Sequence, residues 1–381
     1  MALSGIRVVD LTRILAGPFC TLMLADMGAE VIKVEPPKGD PVREQGIIKE
    51  GLSWYFAQFN RNKKSVVLDL YTEQGKEDLI LLLETADVLV DNYRPGVLAK
   101  MGFSEEKLEL INPRLIHASV NGYGSTGPYV DRPSFDFIAQ AMSGFMSVNG
   151  SADGDPMRAA PPMSDLIAGL YTAFGVVTAL NARHRTGKGQ NVESSLTNGL
   201  ISMMAYLSAE YFATGVIPKR TGNNHPIASP YGLFRASDGR VAVAPSNDVF
   251  VRRFLGVLEL EYLLDEERFK TNDDRMENRD ELLEIINKIT EQKSVDHWIS
   301  VINEAGCPCG RTMDLSEVFR DPQVLAQEMV LNVEHPGRGT VKMTGFPVKL
   351  SETPAQVHRP TPELGADTEA ILAPLRARKA G

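Results

Sequence analysis

The sequence has few of the features that mark secreted, metal-binding or membrane-spanning proteins. Its 381 residues include only six histidines and three cysteines, Cys20, Cys307 and Cys309. An odd, sparse cysteine count argues against a disulfide framework, and no cysteine or histidine spacing suits a metal site. The N-terminus lacks a basic stretch followed by a long apolar one, and no run approaches the roughly 20 apolar residues of a membrane span. We therefore expect a soluble, cytoplasmic protein without a bound metal.

Positive charge is also in short supply. Lysine and arginine number 40 against 49 aspartates and glutamates, which gives a formal net charge of -9. Proteins that bind nucleic acid need a basic surface that neutralises the phosphates. We therefore expect no nucleic-acid partner, although local groups of basic residues are sufficient to hold a small anion.

What the sequence does contain is an alternation of short β-branched runs and helical patterns in its N-terminal part. Strand-like runs lie at 6–11, 30–35, 65–70, 87–93 and 114–120, and helical patterns separate several of them. This alternation is typical of βαβ units on a parallel sheet. It predicts an α/β fold with a Rossmann-like open parallel sheet.

The character of the sequence changes near residue 225, where loops such as GNNHPIASP (222–230) give way to charged amphipathic patterns. Strand-like sequence returns at 337–350. A single core seldom grows beyond roughly 250 to 300 residues, so a chain of this length favours two domains. The stretch that begins near residue 225 is therefore predicted to be a smaller second lobe.

Two aspartates stand where helices are predicted to begin. Asp165 opens an apolar helical stretch at 165–185, where unpaired backbone N–H groups and the helix dipole favour negative charge. We therefore expect its carboxylate to be ionised at neutral pH. Asp136, within PSFDFIAQ, is either a helix-start stabiliser or a second carboxylate in a site. Taken alone, each is an ordinary helix-start aspartate.

Three loops rich in glycine, proline or asparagine follow predicted strands, at 12–18, 91–96 and 121–128. Ligands of open parallel sheets bind beyond the carboxyl ends of the strands, so the three loops together predict a pocket. The first loop, RILAGPF, has one glycine where a dinucleotide fingerprint needs three. A nicotinamide oxidoreductase is therefore a disfavoured alternative.

Ordered motifs along nearly the whole chain point to a more specific answer. They are LTRILAGPFCTLMLADMGAEVIKVEPPKGDPVR (11–43), NRNKKSVVLDL (60–70), DVLVDNYRPGVLAKMGF (87–103), ASVNGYGSTGP (118–128), FDFIAQAMSG (135–144), SDLIAGLYTAFGVVTALNARHRTGKGQ (164–190) and CPCGRTMDLSEVFRDPQV (307–324). Together they closely resemble the class III coenzyme A (CoA) transferases. This group includes formyl-CoA transferase, carnitine CoA-transferase and succinyl-CoA:glutarate CoA-transferase.

The resemblance implies a CoA-transferase whose nucleophile is Asp165, because the family's catalytic aspartate begins the helix that ends in this basic, glycine-containing motif. The aspartate attacks the thioester of a donor such as succinyl-CoA and forms a mixed anhydride, which CoA thiolate converts to an aspartyl-CoA thioester. An incoming carboxylate then repeats the exchange in reverse. Backbone N–H groups of the Ala16-Gly17 turn are candidates for stabilising the tetrahedral oxyanion.

The resemblance also implies which residues contact CoA. They are Leu15, Ala16, Leu68, Asp69, Leu70, Tyr71, Asn92, Tyr93, Arg94, Lys100, Met101 and Asp136. Lys100 is the natural partner for a CoA phosphate. Lys33 or Lys38 takes the place of an arginine that some members set against the nucleotide. CoA is then a substrate and not a tightly bound cofactor, and the partners are acyl-CoA and small carboxylic acids.

Departures from the family's patterns bear on specificity and on the alternatives. Leu15 replaces a glutamine of formyl-CoA transferase, and that enzyme's tetraglycine loop is absent, which argues against formyl or oxalyl substrates. An α-methylacyl-CoA racemase is the nearest alternative, but its histidine corresponds to Phe135 here, so a second base for α-proton transfer is missing. A non-catalytic CoA-binding protein is a further alternative. The family's members are interlocked homodimers, with a large Rossmann-like lobe built from both termini and a smaller lobe between. The resemblance therefore implies the same assembly here, with a large domain built from residues 1–220 and 326–381 and a smaller α+β lobe at 221–325.

Overall fold

The computed structural model describes residues 1–380, which form two compact units. The first unit comprises Met1–Phe145, Arg158–Phe212 and the described residues from Pro322 onward. The second comprises Met146–Met157 and Ala213–Asp321. The sequence analysis had assigned 146–157 to the large domain, and its domain limits stay a prediction.

Strands and helices follow one another closely along the chain. The strands are β1 (Arg7–Asp10), β2 (Glu30–Glu35), β3 (Ile48–Lys49), β4 (Leu52–Ser53), β5 (Lys63–Val67), β6 (Val88–Asp91), β7 (Ile116–Asn121), β8 (Asn191–Ser195), β9 (Gly232–Ala236), β10 (Gly239–Val243), β11 (Cys309–Arg311), β12 (Val330–His335) and β13 (Gly339–Thr344). The α-helices are α1 (Ala16–Asp26), α2 (Trp54–Asn60), α3 (Glu73–Glu84), α4 (Val97–Lys100), α5 (Glu105–Ile111), α6 (Asp136–Met142), α7 (Phe145–Val148), α8 (Met163–Thr186), α9 (Leu196–Ser202), α10 (Ala205–Thr214), α11 (Asp248–Val257), α12 (Asn272–Glu277), α13 (Arg279–Thr290), α14 (Val295–Glu304), α15 (Leu315–Val318), α16 (Pro322–Ala326) and α17 (Thr368–Ala380). Short 3-10 helices occupy Pro41–Glu44, Glu261–Asp265 and Glu267–Phe269.

A six-stranded parallel sheet in the order β5-β2-β1-β6-β7-β8 forms the centre of the first unit. Val8, Val9, Ile32 and Leu89 on its strands are fully buried, as expected for a parallel sheet covered on both faces. The predicted mixed α/β fold with a parallel sheet is therefore confirmed. The strand order reverses direction between β1 and β6, and a crevice opens at such a point beyond the carboxyl ends of the strands.

Helices cover both faces of this sheet. Leu82 of α3 and Leu372 of α17 belong to one buried apolar cluster with strand residues, so the C-terminal segment helps to complete the first unit. Leu24 of α1 and Val176 of α8 belong to a second cluster, on strands β1, β2, β6 and β7. The sheet is thus held between two apolar layers.

Helix α8 is long and apolar enough, by length and composition alone, to cross a membrane. The expectation that no segment has these properties is therefore wrong for α8. Half of its most apolar stretch is nevertheless buried, 50%, and it packs on α1, β7 and β8. At Gly169 a Cβ atom would lie 2.5 Å from the carbonyl oxygen of Ala16, so glycine allows the two helices to approach closely. These contacts are those of a core helix.

The second unit contains the antiparallel sheet β11-β10-β9. Its apolar cluster joins the sheet to α11, α13 and α14 through Phe234, Val241, Phe254, Ile286 and Trp298. These helices are amphipathic, with their apolar faces turned to the cluster. The unit therefore has its own buried core.

Candidate active site

A pocket of about 240 Å³ lies in the first unit beyond the carboxyl ends of β1, β6 and β7. The loops that follow these strands line it together with the first turns of α1 and α8, so the three loops singled out in the sequence do meet. The lining includes six residues predicted from the sequence, namely Leu15, Ala16, Asn92, Tyr93, Arg94 and Asp165. The pocket is therefore the candidate active site.

Asp165 lies in the first turn of α8 and lines this pocket. Its carboxyl group accepts no hydrogen bond from any residue that the structure describes. Burial, followed by the negative charge of Asp136, raises the pKa of Asp165 from 3.8 to about 7. The expectation that Asp165 is fully ionised at neutral pH is therefore wrong, because desolvation outweighs the favourable helix dipole.

Asp136 stabilises the start of α8 from the neighbouring helix α6. Its Oδ1 accepts the backbone N–H of Ser164 at 3.0 Å and the Ser164 hydroxyl at 2.9 Å. Its Oδ2 accepts Nε2 of Gln140 at 2.7 Å, and Gln140 in turn accepts the N–H of Ala159 at 2.8 Å. Asp136 is only 9% exposed and is absent from the pocket lining. The geometry favours the helix-start stabiliser, and a contact between Asp136 and CoA stays a prediction.

The first turn of α1 contains unpaired backbone donors, and its first residue, Ala16, lines the same pocket. Leu15 is the N-cap residue, and the N–H groups of Ala16 and Gly17 have no acceptor within the described chain. Such free donors are usual at a helix start and favour an anion. A Cβ atom on Gly17 would lie 2.4 Å from the Cβ of Thr12, so the loop and the helix are tightly packed here. An oxyanion that forms beside Asp165 therefore has a backbone donor in the same pocket, at Ala16.

Arginines supply the positive charge of the pocket. Arg13, Arg94 and Arg132 all line it and are exposed. The guanidinium of Arg13 lies 5.6 Å from the ring centre of Tyr93, and that of Arg132 lies 3.9 Å from the ring centre of Tyr129. Sequence reasoning named only Arg94. The other two stand in loops after strand ends, which is the signal that pointed to the pocket itself.

The remaining predicted CoA contacts lie outside this pocket. Leu68 belongs to the core of the first unit, and Leu70 and Met101 pack against that core. The carboxylate of Asp69 accepts the N–H of Tyr71 at 3.0 Å, whereas Tyr71 itself is 85% exposed. Lys100 is exposed at the end of α4. The structure does not gather these residues around Asp165.

Two charged residues of strand β2, Lys33 and Glu35, are engaged within the protein. Lys33 is fully buried, and its Nζ lies 2.9 Å from a carboxylate oxygen of Asp40. It is therefore not free to contact a nucleotide, whereas Lys38 is exposed. Glu35, which a dinucleotide fold would set against ribose, is buried and binds Arg43 through both oxygens at 2.7 Å.

Tyr55 of α2 is a further polar group that sequence reasoning missed. Burial and the charges of Asp165 and Asp40 raise its pKa to about 12. The phenol is therefore coupled electrostatically to Asp165, although Tyr55 does not line the pocket. Nothing in the sequence around WYFAQ distinguishes this tyrosine from a core residue.

Side chains of metal-ligand type are not grouped in the part of the chain that the structure describes. Within residues 1–380 no set of three or more His, Cys, Asp or Glu side chains is placed to hold a metal ion. The pocket lining contains no histidine. The groups it does offer include one carboxylate, the backbone N–H of Ala16, arginines, and the side chains of Asn92, Asn121 and Tyr123.

Comparison with known proteins agrees with this set of groups. The profile of CoA-transferase family III matches residues 3–368. The acetyl-CoA:oxalate CoA-transferase of Acetobacter aceti is 40% identical over 350 residues, covering 91% of this chain and 89% of that protein. The succinate–glutarate CoA-transferase of Agrobacterium fabrum is 38% identical over 381 residues, covering 98% and 95%. The crystal structure of a CAIB/BAIF family protein from Brucella suis has a TM-score of 0.87 at 36% identity, covering 98% of this chain and 99% of that one. The chain therefore belongs to CoA-transferase family III and is a class III CoA-transferase.

Proposed function

We propose that this enzyme moves CoA from an acyl-CoA, such as succinyl-CoA, to a small dicarboxylic acid, with Asp165 as the nucleophile. The observation that carries the proposal is the position of Asp165. Its carboxyl group lines a pocket at the switch point of the sheet, has no hydrogen-bond partner in the described chain, and shares the pocket with the first turn of α1.

The proposed reaction has four steps, in which each bond broken is matched by one formed. The Asp165 carboxylate attacks the donor thioester, which gives a mixed anhydride and releases CoA thiolate. The thiolate attacks the aspartyl carbonyl, so that an aspartyl-CoA thioester forms and the donor leaves as a free carboxylate. The acceptor carboxylate then attacks the aspartyl-CoA thioester, which releases CoA thiolate and forms a second mixed anhydride between the acceptor and Asp165. Finally, the thiolate attacks the acceptor carbonyl, giving the new acyl-CoA and free Asp165.

The electrostatics of the site suit this chemistry. A carboxylate with a pKa near 7 is more basic than an exposed aspartate and so is a stronger nucleophile. The reactive, ionised form of Asp165 becomes more populated as the pH rises through about 7. The free N–H groups of Ala16 and Gly17 are suited to stabilise the oxyanion of each tetrahedral intermediate.

The pocket is too small for all of CoA, since it holds about 240 Å³ and sites for drug-sized ligands occupy roughly 300 to 1,000 Å³. We assign it to the reacting thioester, with Leu15, Ala16, Asn92, Tyr93 and Arg94 against the adjoining part of CoA. The nucleotide end then extends to the predicted contacts outside the pocket, namely Leu68, Asp69, Leu70, Tyr71, Lys100 and Met101. The exposed ammonium of Lys100 is suited to a phosphate. CoA is in this scheme a substrate, and the protein holds no tightly bound cofactor.

Two observations support a dicarboxylic acceptor. The named relatives act on oxalate or on succinate and glutarate, which are all dicarboxylates. The oxalate enzyme among them weighs against the sequence-based argument that disfavoured oxalyl substrates. The pocket also offers three arginines, Arg13, Arg94 and Arg132, so a second carboxylate has a cation to pair with even when one arginine serves CoA.

Racemisation of an α-methylacyl-CoA is less well supported than transfer. It needs two bases facing the α-carbon, and the pocket lining contains no histidine. Phe135, at the position where the racemases carry that histidine, lines the pocket with a side chain that is 67% exposed.

We also propose that the enzyme is an interlocked homodimer with a Rossmann-like lobe, working in the cytoplasm without a membrane or nucleic-acid partner. Large apolar side chains on α6, α8 and α9 are exposed, including Phe137, Met142, Phe174, Val177 and Ile201. These three helices contact one another, and exposed large apolar side chains on neighbouring helices are typical of a protein interface. Sedimentation equilibrium is expected to give twice the chain mass, and a stable monomer would contradict the assembly.

Mass spectrometry of reaction mixtures tests the function directly. Succinyl-CoA or acetyl-CoA is mixed with a panel of mono- and dicarboxylic acids, and new thioesters are identified by mass. The unmodified enzyme is expected to form the CoA ester of a dicarboxylic acid, and Asp165→Ala is expected to form none while still binding CoA. Retained turnover in Asp165→Ala would end the assignment of the nucleophile.

A further inference from the structure

Side chains at or near the ends of three strands hold the backbone of the short loop between β1 and α1. Thr12 donates its N–H to Asp10 at 2.9 Å, and its carbonyl accepts Nζ of Lys33 at 2.8 Å. The N–H of Arg13 donates to Oδ1 of Asn92 at 3.0 Å, and Nδ2 of Asn92 donates to the carbonyl of Arg13 at 2.7 Å. Side chains from three other parts of the sheet therefore determine the path of this loop.

Ile14 completes the loop in a conformation that isoleucine seldom adopts. Its φ of 71° lies in the left-handed region, where a β-branched side chain is strained. Its N–H points to the carboxylate of Asp40 and lies 3.3 Å from each oxygen. Asp40 is only 2% exposed; it also accepts the N–H of Val42 at 3.1 Å and pairs with Nζ of Lys33 at 2.9 Å. The buried ion pair of Asp40 and Lys33 thus holds the backbone of Ile14 through the Asp40 carboxylate.

The strained residue leads directly into the candidate active site. Ile14, Leu15 and Ala16 follow one another along the wall of the pocket that contains Asp165. A change of φ at Ile14 to a negative value would redirect the N-cap residue and the first turn of α1. Displacements of about 1 Å in a reacting site are enough to lower a rate roughly 100-fold.

We propose that Asp40, supported by Lys33, is a positioning residue for CoA transfer. It holds Ile14 in the left-handed conformation and thereby sets the first turn of α1 against the reacting thioester. Neither Asp40 nor Lys33 lines the pocket, so the effect passes through the backbone of Ile14. The proposal rests on the function proposed above for Asp165 and its pocket.

The test introduces Asp40→Asn into three backgrounds: the unmodified chain, Ile14→Gly and Ile14→Ala. Asparagine keeps the size of the side chain and an acceptor oxygen but removes the charge that faces Lys33. Glycine adopts a φ near 71° without strain, whereas alanine shortens the side chain but keeps the Cβ atom that causes the strain. Ile14→Ala is therefore the matched control.

Asp40→Asn is expected to lower kcat by about 10- to 100-fold in the unmodified and Ile14→Ala backgrounds, and by less than about 3-fold in Ile14→Gly. The KM for acyl-CoA is expected to change by less than about 3-fold in all three, because most CoA contacts lie elsewhere. A purely structural role predicts the same loss of kcat in every background. That result, or a change confined to KM, would overturn the proposal.

The test also includes a replacement variant and an assay of the unmodified enzyme. Should Asp40→Asn fail to fold, Asp40→Glu replaces it, since it keeps the charge opposite Lys33 and only displaces the carboxylate. The same pattern across the three backgrounds supports the proposal, and equal losses refute it. The unmodified enzyme is assayed beside each variant. If it forms no new thioester, the proposed function fails and this inference with it, whereas normal turnover with equal losses refutes the positioning role alone.

Discussion

Replacing Asp165 by asparagine is expected to make the protein more stable while it abolishes CoA transfer. Folding raises the pKa of this carboxyl group from 3.8 to about 7. At about 1.4 kcal/mol for each pKa unit, keeping the group ionised in the folded state costs at most about 4 kcal/mol. Asparagine has no charge to bury. The substitution also costs no hydrogen bond, because the carboxyl group of Asp165 accepts none in the described chain.

The gain in Tm follows from this cost. Residual contact with water lowers the cost, so we take about 2 to 4 kcal/mol at pH 8. A chain of 381 residues unfolds with an entropy of about 0.8 kcal/mol per degree. The Tm of Asp165→Asn is therefore expected to rise by about 3 to 5 °C at pH 8, as measured by scanning calorimetry on the protein without substrate. Stability given up at a reacting group in this way is a common feature of enzymes.

The increase in Tm caused by Asp165→Asn must also depend on pH. The pKa of Asp165 is higher in the folded than in the unfolded chain, so the folded chain binds more protons between about pH 4 and pH 7. Stability is consequently lost as the pH rises through that window. At pH 5 the cost of ionising the group is less than half its value at pH 8, and the gain in Tm is expected to shrink in proportion.

A matched control is Asp273→Asn, because Asp273 also lies in the first turn of a helix, α12, but is exposed. Its Tm is expected to stay the same or to fall slightly through the loss of a favourable helix-dipole interaction. The reasoning is refuted if Asp165→Asn lowers Tm at pH 8, or if its gain is the same at pH 5 and pH 8.

Two further predictions concern kinetics. The kcat/KM for acyl-CoA is expected to rise with pH through about 7 as Asp165 ionises, and Asp136→Asn is expected to move this rise to lower pH because a like charge is removed. An unchanged pH profile in Asp136→Asn would contradict the coupling. Arg94→Ala is expected to raise the KM for acyl-CoA about 10-fold with little change in kcat, whereas Arg185→Ala, at the far end of α8, leaves both unchanged. Equal effects of the two arginines would argue against a CoA contact at Arg94.

The strands in the buried middle of the sheet were predictable from the sequence because buried parallel strands are nearly continuous apolar runs. The runs at 6–11 and 30–35 contain β1 and β2. Strand β8 was missed, since Asn191–Ser195 is a polar segment at the edge of the sheet and pairs only with β7. Its position beside β7 depends on packing by α8, which no local pattern reveals.

The site was predictable in its parts but not in its electrostatics. Loops after strand ends located the pocket, whereas the protonation of Asp165 depends on burial and on Asp136, which lies nearly 30 residues away along the chain. The sequence left the choice between Lys33 and Lys38 open for a similar reason. A lysine in a strand points either to water or inward, and only the position of Asp40 shows that it points inward.

The central claim is that a single aspartate carries the acyl group and CoA in turn. The most direct measurement uses an acceptor acid labelled with ¹⁸O in both carboxylate oxygens, followed by peptide mass spectrometry of the enzyme after turnover. Because the acceptor leaves one oxygen on the aspartate in each cycle, the peptide that contains Asp165 is expected to gain ¹⁸O, and the label to reside on that side chain. Turnover that leaves Asp165 unlabelled, or that places the label on another residue, would contradict the account.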